Sequence, residues 1–273
     1  MFFPYITGKN FAFRILIEII LIGWVLLALI DKNYRPRFSW IAVSGLALLV
    51  IMFFANLFGE YPLKSFWSNF ERMDGYITLV HFYFYFVVLA HILRTPKAWS
   101  YFLHTSIGVA AIVAMYGLGQ SSGVIEGRNR VDSTLGNAAY MAIYMLFHIF
   151  FLLFVSLRTK QWLVRGIYGL IMLLFIYILL ETGTRGTFIG LMTGSSVSIL
   201  YLIIFGQKFP EVRKAAIGVL VALVTLFGSL MIFSDTAFVQ DNDAIRRIAN
   251  MNIKDDLEVR GIIWNVAIEG ISE

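Results

Sequence analysis

The chain has 273 residues, of which 59% are hydrophobic and only 14% are charged. Soluble domains carry about a quarter charged residues, so the apolar surplus must face lipid rather than water. The absence of cysteine excludes disulfides, thiol chemistry and thiolate metal sites. The net charge of +5 does not indicate a nucleic-acid partner, because the basic residues sit in short connections between apolar runs, the pattern of a membrane protein.

Residues 1–10 do not read as a signal peptide. They lack a basic start before the apolar run, and no small-residue cleavage site follows. A bilayer core about 30 Å thick needs roughly 20 apolar residues in a helix. Eight segments meet that length: 11–30, 39–58, 73–93, 98–118, 138–157, 163–181, 186–206 and 214–234. Helices are required because lipid cannot satisfy free backbone groups, and the alternation of a barrel strand is absent. The expected fold is therefore an all-α, polytopic transmembrane bundle over residues 1–234. Residues 235–273 then begin an extracytoplasmic loop.

One set of connections holds Lys32, Arg35, Arg37, Arg94, Lys97, Arg158, Lys160, Arg165, Lys208, Arg213 and Lys214. The alternate set holds only Lys64, Arg72, Arg128, Arg130 and Arg185. The excess of basic residues assigns the first set to the cytoplasm and the second set, with the tail, to the outside. This places the N-terminus outside, which a preceding helix would resolve. The tail also stops within a polar segment, so the chain reads as a fragment at both ends.

In this topology the odd-numbered spans begin outside, and helix N-termini attract anions through free N–H groups. Three polar motifs fall at these ends. Phe66 to Gly75, FWSNFERMDG, mixes interfacial aromatics with charges. It reads as an aromatic belt with a solvated charge cluster, or as a head-group wall with Arg72 available to an anion. Arg128 to Asn137, RNRVDSTLGN, opens the fifth span. Asn137 suits a helix cap and Gly136 a tight turn, while Arg130 is a candidate substrate contact.

Glu181 to Thr187, ETGTRGT, joins the sixth and seventh spans. Its glycines permit a sharp reversal, and Thr184 or Thr187 can donate a hydroxyl. A phosphate oxygen can meet the Arg185 fork and the helix N–H groups together. The plainer reading is a tight turn in which Arg185 pairs with Glu181. In the tail, Ile245, Ile248, Ile262 and Ile263 suggest short surface helices beside Asp255, Asp256 and Glu258. Arg260 and Trp264 are four apart, which puts them on one helical face.

Arg14 and Glu18 are four apart within the first span and are expected to pair. His81, His91, His104 and His148 lack metal-pair spacing, and no carboxylate neighbour accompanies them in sequence. No phosphate-binding loop, dinucleotide fingerprint or GxSxG elbow is present, so no nucleotide site is expected.

The FWSNFERMDG stretch, the TLGN run, the TGTRG turn and RGIIW, in this order over about residues 59–270, resemble the O-antigen ligase and polymerase family. One departure is Ala138-Ala139 after Asn137, where the family often has Asn-Pro-Asn. The resemblance implies a metal- and cofactor-independent glycosyltransferase of the bacterial inner membrane, active on its extracytoplasmic face. Its donor would be a glycan on undecaprenyl diphosphate. Its acceptor would be a hydroxyl of lipid A core, protein or growing polysaccharide.

Arg185 and Arg260 match arginines that contact the diphosphate, and Arg72, Arg130, Thr184, Thr187 and Trp264 complete the expected site. The family continues past RGIIW to a functional histidine that no residue here matches, so this chain alone is expected to be inactive. The alternative is a transporter or a flippase for lipid-linked oligosaccharides. That reading calls for mid-bilayer charges and broken helices in paired halves, and the sequence offers few of the former and no visible inverted repeat.

Overall fold

The computed structural model describes residues 5–127, 130–206, 210, 213–214, 217–218, 220–221, 225, 228–229, 232–234, 236–241, 246 and 253–272. The described elements are all helical. In chain order they are α1 (Tyr5–Ile30), a 3-10 turn (Lys32–Tyr34), α2 (Trp40–Leu57), α3 (Pro62–Trp67), α4 (Tyr76–Ile92) and α5 (Pro96–Ser121). A second 3-10 turn (Ser133–Leu135), α6 (Ala138–Arg158), α7 (Trp162–Glu181) and α8 (Arg185–Phe205) follow. The helical turn Ala237–Gln240 and the helix Ile253–Ser272 lie beyond.

Among the described residues, six helices are long and apolar enough to cross a membrane: α1 from Thr7, α2, α5, α6, α7 and α8. The third expected span becomes α4, only 17 residues long, because Met73 to Gly75 form a turn rather than a first helical turn. The eighth expected span, 214–234, lies largely outside the described residues. Large apolar side chains point outward along the spans, with Leu170 70%, Ile112 72% and Leu29 69% exposed. Their only compatible surrounding is lipid. The protein is an integral membrane protein.

The chain divides into two compact units, Met1–Thr105 and Ser106–Glu273. In the first, α1 and α4 face each other. Arg14, Ile17, Trp24 and Ala28 are buried at helical spacing on α1, opposite Thr78, His81, Val88 and His91 of α4. Phe13 meets Phe82 with ring centroids 4.9 Å apart, and Trp24 meets His91 at 5.3 Å. α2 is held to α4 by backbone acceptors. The Tyr76 hydroxyl donates to Leu49 O at 3.0 Å, and that of Tyr83 donates to Ala42 O at 3.1 Å. Donors and acceptors are each seven residues apart and run in opposite directions, so the two helices pair antiparallel. Gly45 admits the Tyr83 ring, which would lie 3.3 Å from an added Cβ.

Gly75 sits where α4 begins beneath the end of α3. A Cβ there would come within 2.5 Å of Phe66 O and 2.7 Å of Ser68 N. Both atoms are backbone and cannot swing aside. Gly75→Ala is expected to lower stability by about 1–3 kcal/mol, the usual cost of overpacking. Denaturant unfolding of the protein in mild detergent checks this, and an unchanged midpoint would refute the crowding.

In the second unit, α6 buries one continuous stripe through Ala138, Met141, Ala142, Met145, His148, Ile149, Leu152 and Val155. It packs along α7, which contributes Phe175, Ile178 and Leu179. α5 brings small residues to the core, with Ala110 and Ala114 fully buried, and Gly117 would put a Cβ 3.1 Å from Val131. On α8, Gly190 and Gly194 lie against Leu146 and Phe150 of α6. Small residues at such crossings let helices approach closely where lipid removes the hydrophobic drive.

Candidate functional site

The second and third motifs are joined by one side chain. Arg130 donates from Nε to Thr182 O at 2.6 Å and from Nη2 to Thr184 Oγ1 at 2.8 Å. The loop before α6 thereby grips the turn between α7 and α8. The turn itself is tightly built. Thr182 is fully buried and its hydroxyl donates to Leu179 O at 2.6 Å. Gly183 has φ 56°, a left-handed conformation that glycine adopts without strain, and its N–H donates to Leu180 O. Arg185 then opens α8 and is half-buried, while Thr187 is buried one turn in. Phe188 N donates to Thr184 O at 3.2 Å and closes the first turn of α8.

The Arg130 loop is fixed in turn by α5. Gln120 Nε2 donates to Asp132 Oδ1 at 3.1 Å, and Gln120 Oε1 accepts from Ser133 N at 2.8 Å. The Ser133 hydroxyl donates to Val113 O at 2.7 Å. Gly136 has φ 73°, and Asn137 Oδ1 accepts from Ala139 N at 2.8 Å, so turn and cap form as their residue types dictate. Arg128 and Asn129 lie outside the described residues. Gln120, Asp132 and Ser133 carry no individual sequence signal. The only hint is that two polar residues, Asp132 and Ser133, enter the loop before α6, while Gln120 sits near the end of α5.

The first motif belongs to the other unit. Its loop closes onto the start of α1. Asn10 Nδ2 donates to Arg72 O at 2.6 Å, and Arg14 donates from Nη2 to Met73 O and, at 2.6 Å, to Thr78 Oγ1. The Arg14 guanidinium also lies 5.5 Å from the Phe11 ring and 5.8 Å from that of Trp67. The Arg72 side chain is exposed. Arg14 and Glu18 do not pair as the sequence suggests, because Arg14 turns toward the Met73 carbonyl. Glu18 Oε1 instead stands 3.2 Å from His81 Nε2, giving that histidine the carboxylate neighbour that sequence spacing did not reveal.

Arg260 and Trp264 lie on the helix Ile253–Ser272 and are exposed, as are Ile262 and Ile263. This segment is one helix of 20 residues rather than several short ones, and Ile245 and Ile248 lie outside the described residues. Among the described residues, no hydrogen bond, ion pair or ring contact links Arg260 or Trp264 to the Arg130 cluster.

The structure thus brings Arg130, Thr184 and the Arg185 helix start together and keeps Thr187 beside them. Among the described residues Arg260 does not join this cluster, and Arg72 belongs to the other unit. No protein-family model, no curated protein and no solved structure matches this chain.

Proposed function

We propose that the chain forms the donor-binding part of a membrane glycan ligase of the O-antigen ligase and polymerase type. That ligase would transfer a glycan from undecaprenyl diphosphate to an acceptor hydroxyl on lipid, protein or polysaccharide. One observation carries the reading: the Arg130 clamp on the α7–α8 turn, which fixes the backbone from which Arg185 and the first turn of α8 project. A diphosphate leaving group needs such a rigid cationic seat. As the bond from the anomeric carbon to the diphosphate oxygen breaks, negative charge grows on that oxygen. A cation already in place favours the transition state over the ground state. In this reading Arg185 meets the diphosphate, with Arg260 as a second cation. Arg130 positions the turn, and Thr184, Thr187 and Trp264 border the donor.

A second reading, a transporter or a flippase for lipid-linked oligosaccharides, draws on the buried Arg14 and the Glu18–His81 contact. Ionisable groups inside spans often mark a transport path. The two separate in one assay. The protein, expressed in its natural reading frame and reconstituted in vesicles, is given undecaprenyl-diphosphate-linked glycan and an acceptor. Glycan appearing on the acceptor, with release of undecaprenyl diphosphate, is the expected result. Movement of the intact donor between leaflets without transfer would replace the ligase with the flippase.

A further inference from the structure

The opposite, strongly basic end of the first unit carries a cavity of about 390 Å³ between the start of α2 and the end of α4. That volume is within the range of small-ligand sites, roughly 300–1,000 Å³. Its walls are of two kinds. Arg37, Ser39 and Arg94 are polar, while Phe38, Phe86 and Ala90 are apolar. Among the described residues, no carboxylate lines it.

The frame around the cavity is rigid. Arg94 donates from Nη1 to Asn33 O and from Nη2 to Arg35 O at 3.1 Å, which ties the connection between α1 and α2 to the end of α4. The Arg37 N–H donates to His91 Nε2 at 3.1 Å, and Trp24 Nε1 donates to Tyr34 O at 3.1 Å. Arg94 uses two of its five N–H donors in this way, and the Arg37 side chain makes no hydrogen bond or ion pair among the described residues. Lys32 and Arg35 stand in the connection between α1 and α2 and Lys97 in the first turn of α5, against the single acid Asp31 of that connection, whose carboxylate accepts from Asn33 N. Phe38 and Trp40, 74% and 76% exposed and 5.0 Å apart edge to face, mark this level as the membrane interface.

We propose that this cavity binds the phosphate of an anionic phospholipid from the leaflet facing the basic connections. Arg37 and Arg94 take the phosphate oxygens, and an acyl chain lies along Phe38 and Phe86. Basic pockets between membrane helices suit such head groups, and a zwitterionic lipid would bring its own cation against two arginines. The end of the unit is distinct from the one bearing Arg72.

The test is native mass spectrometry of the full chain released from detergent containing dioleoyl phosphatidylglycerol and dioleoyl phosphatidylcholine at equal mole fractions. Retention of phosphatidylglycerol in clear preference is expected. Arg37→Gln should reduce that preference roughly fivefold, the effect of one interfacial arginine. Ala90→Phe, which fills the cavity without changing charge, should reduce it similarly. Lys160→Gln, an equal loss of charge elsewhere, should leave it within about twofold of the unaltered chain. Equal losses for Lys160→Gln and Arg37→Gln, or none for Ala90→Phe, would overturn the proposal in favour of unspecific attraction. Displacement of the lipid by millimolar inorganic phosphate would overturn it in favour of a free-anion site.

Discussion

Arg185→Ala is expected to reduce glycan transfer roughly 100- to 1,000-fold while the protein still inserts and folds. The magnitude is that of removing one fixed donor to a developing anion, about 3–4 kcal/mol at the transition state. Arg185 opens α8 and is half-buried, so expression and membrane insertion of the variant are checked alongside transfer. The loss should fall mainly on kcat, since the leaving oxygen gains its charge only as the bond breaks. Arg130 separates position from contact. Its two bonds hold Thr182 O and Thr184 Oγ1, so Arg130→Lys should loosen the turn and slow transfer by moving Arg185. An ammonium cannot reproduce the two-pronged grip of a guanidinium. Wild-type transfer rates in Arg185→Ala, measured on protein of checked expression, would remove Arg185 from the chemistry and call for another cation.

Arg14→Ala is expected to lower the stability of the first unit by about 2 kcal/mol. The guanidinium holds Met73 O and Thr78 Oγ1, and hydrogen bonds to charged groups are each worth about 1.5–3 kcal/mol. Two features reduce the net effect. The Thr78 hydroxyl also donates to Met73 O at 3.2 Å, so that carbonyl keeps a donor. Arg14 Nε is buried without a partner, an existing cost that the substitution relieves. Arg14→Met should therefore recover part of the loss by restoring bulk without the charge. Unfolding followed by tryptophan emission reports on it, because Trp67 lies beside the guanidinium. An Arg14→Ala midpoint equal to that of the unaltered protein would show that the loop before α4 holds without α1.

The residues differ in how far their roles could be read ahead. Six of the expected spans were legible because lipid imposes a length and an apolar composition on each helix separately. Gly136 and Asn137 were legible for the same local reason: a left-handed turn and a side-chain cap are set by residue type within a few positions. Arg130 was recognisable as a candidate, but its partner at Thr182 is 52 residues away. Nothing local selects one carbonyl among many. Glu18 and His81 are 63 apart, and their meeting depends on which faces of α1 and α4 pack. The spacing of four between Arg14 and Glu18 suggested a pair within one helix, but the packing of α1 against α4 takes Arg14 to Met73 O and Thr78 Oγ1 and Glu18 to His81. The helix α3 escaped notice because its six residues are too short for any hydrophobic period to show.

The tyrosine contacts between α2 and α4 make their alignment indifferent to most of the α2 sequence. Both hydroxyls bind main-chain oxygens, so the substituents of α2 can drift toward any lipid-compatible residue without loosening the attachment, provided Gly45 leaves room for the Tyr83 ring. Sliding α2 by one turn would offer the hydroxyls equivalent main-chain oxygens but would bring a larger side chain against the Tyr83 ring in place of Gly45, while exchanging its outward leucines and isoleucines would disturb neither attachment. Outward residue identity and register are therefore inherited separately here: Gly45 and the α4 tyrosines set where α2 sits, and the lipid-facing side of α2 is left free to match whatever membrane surrounds it.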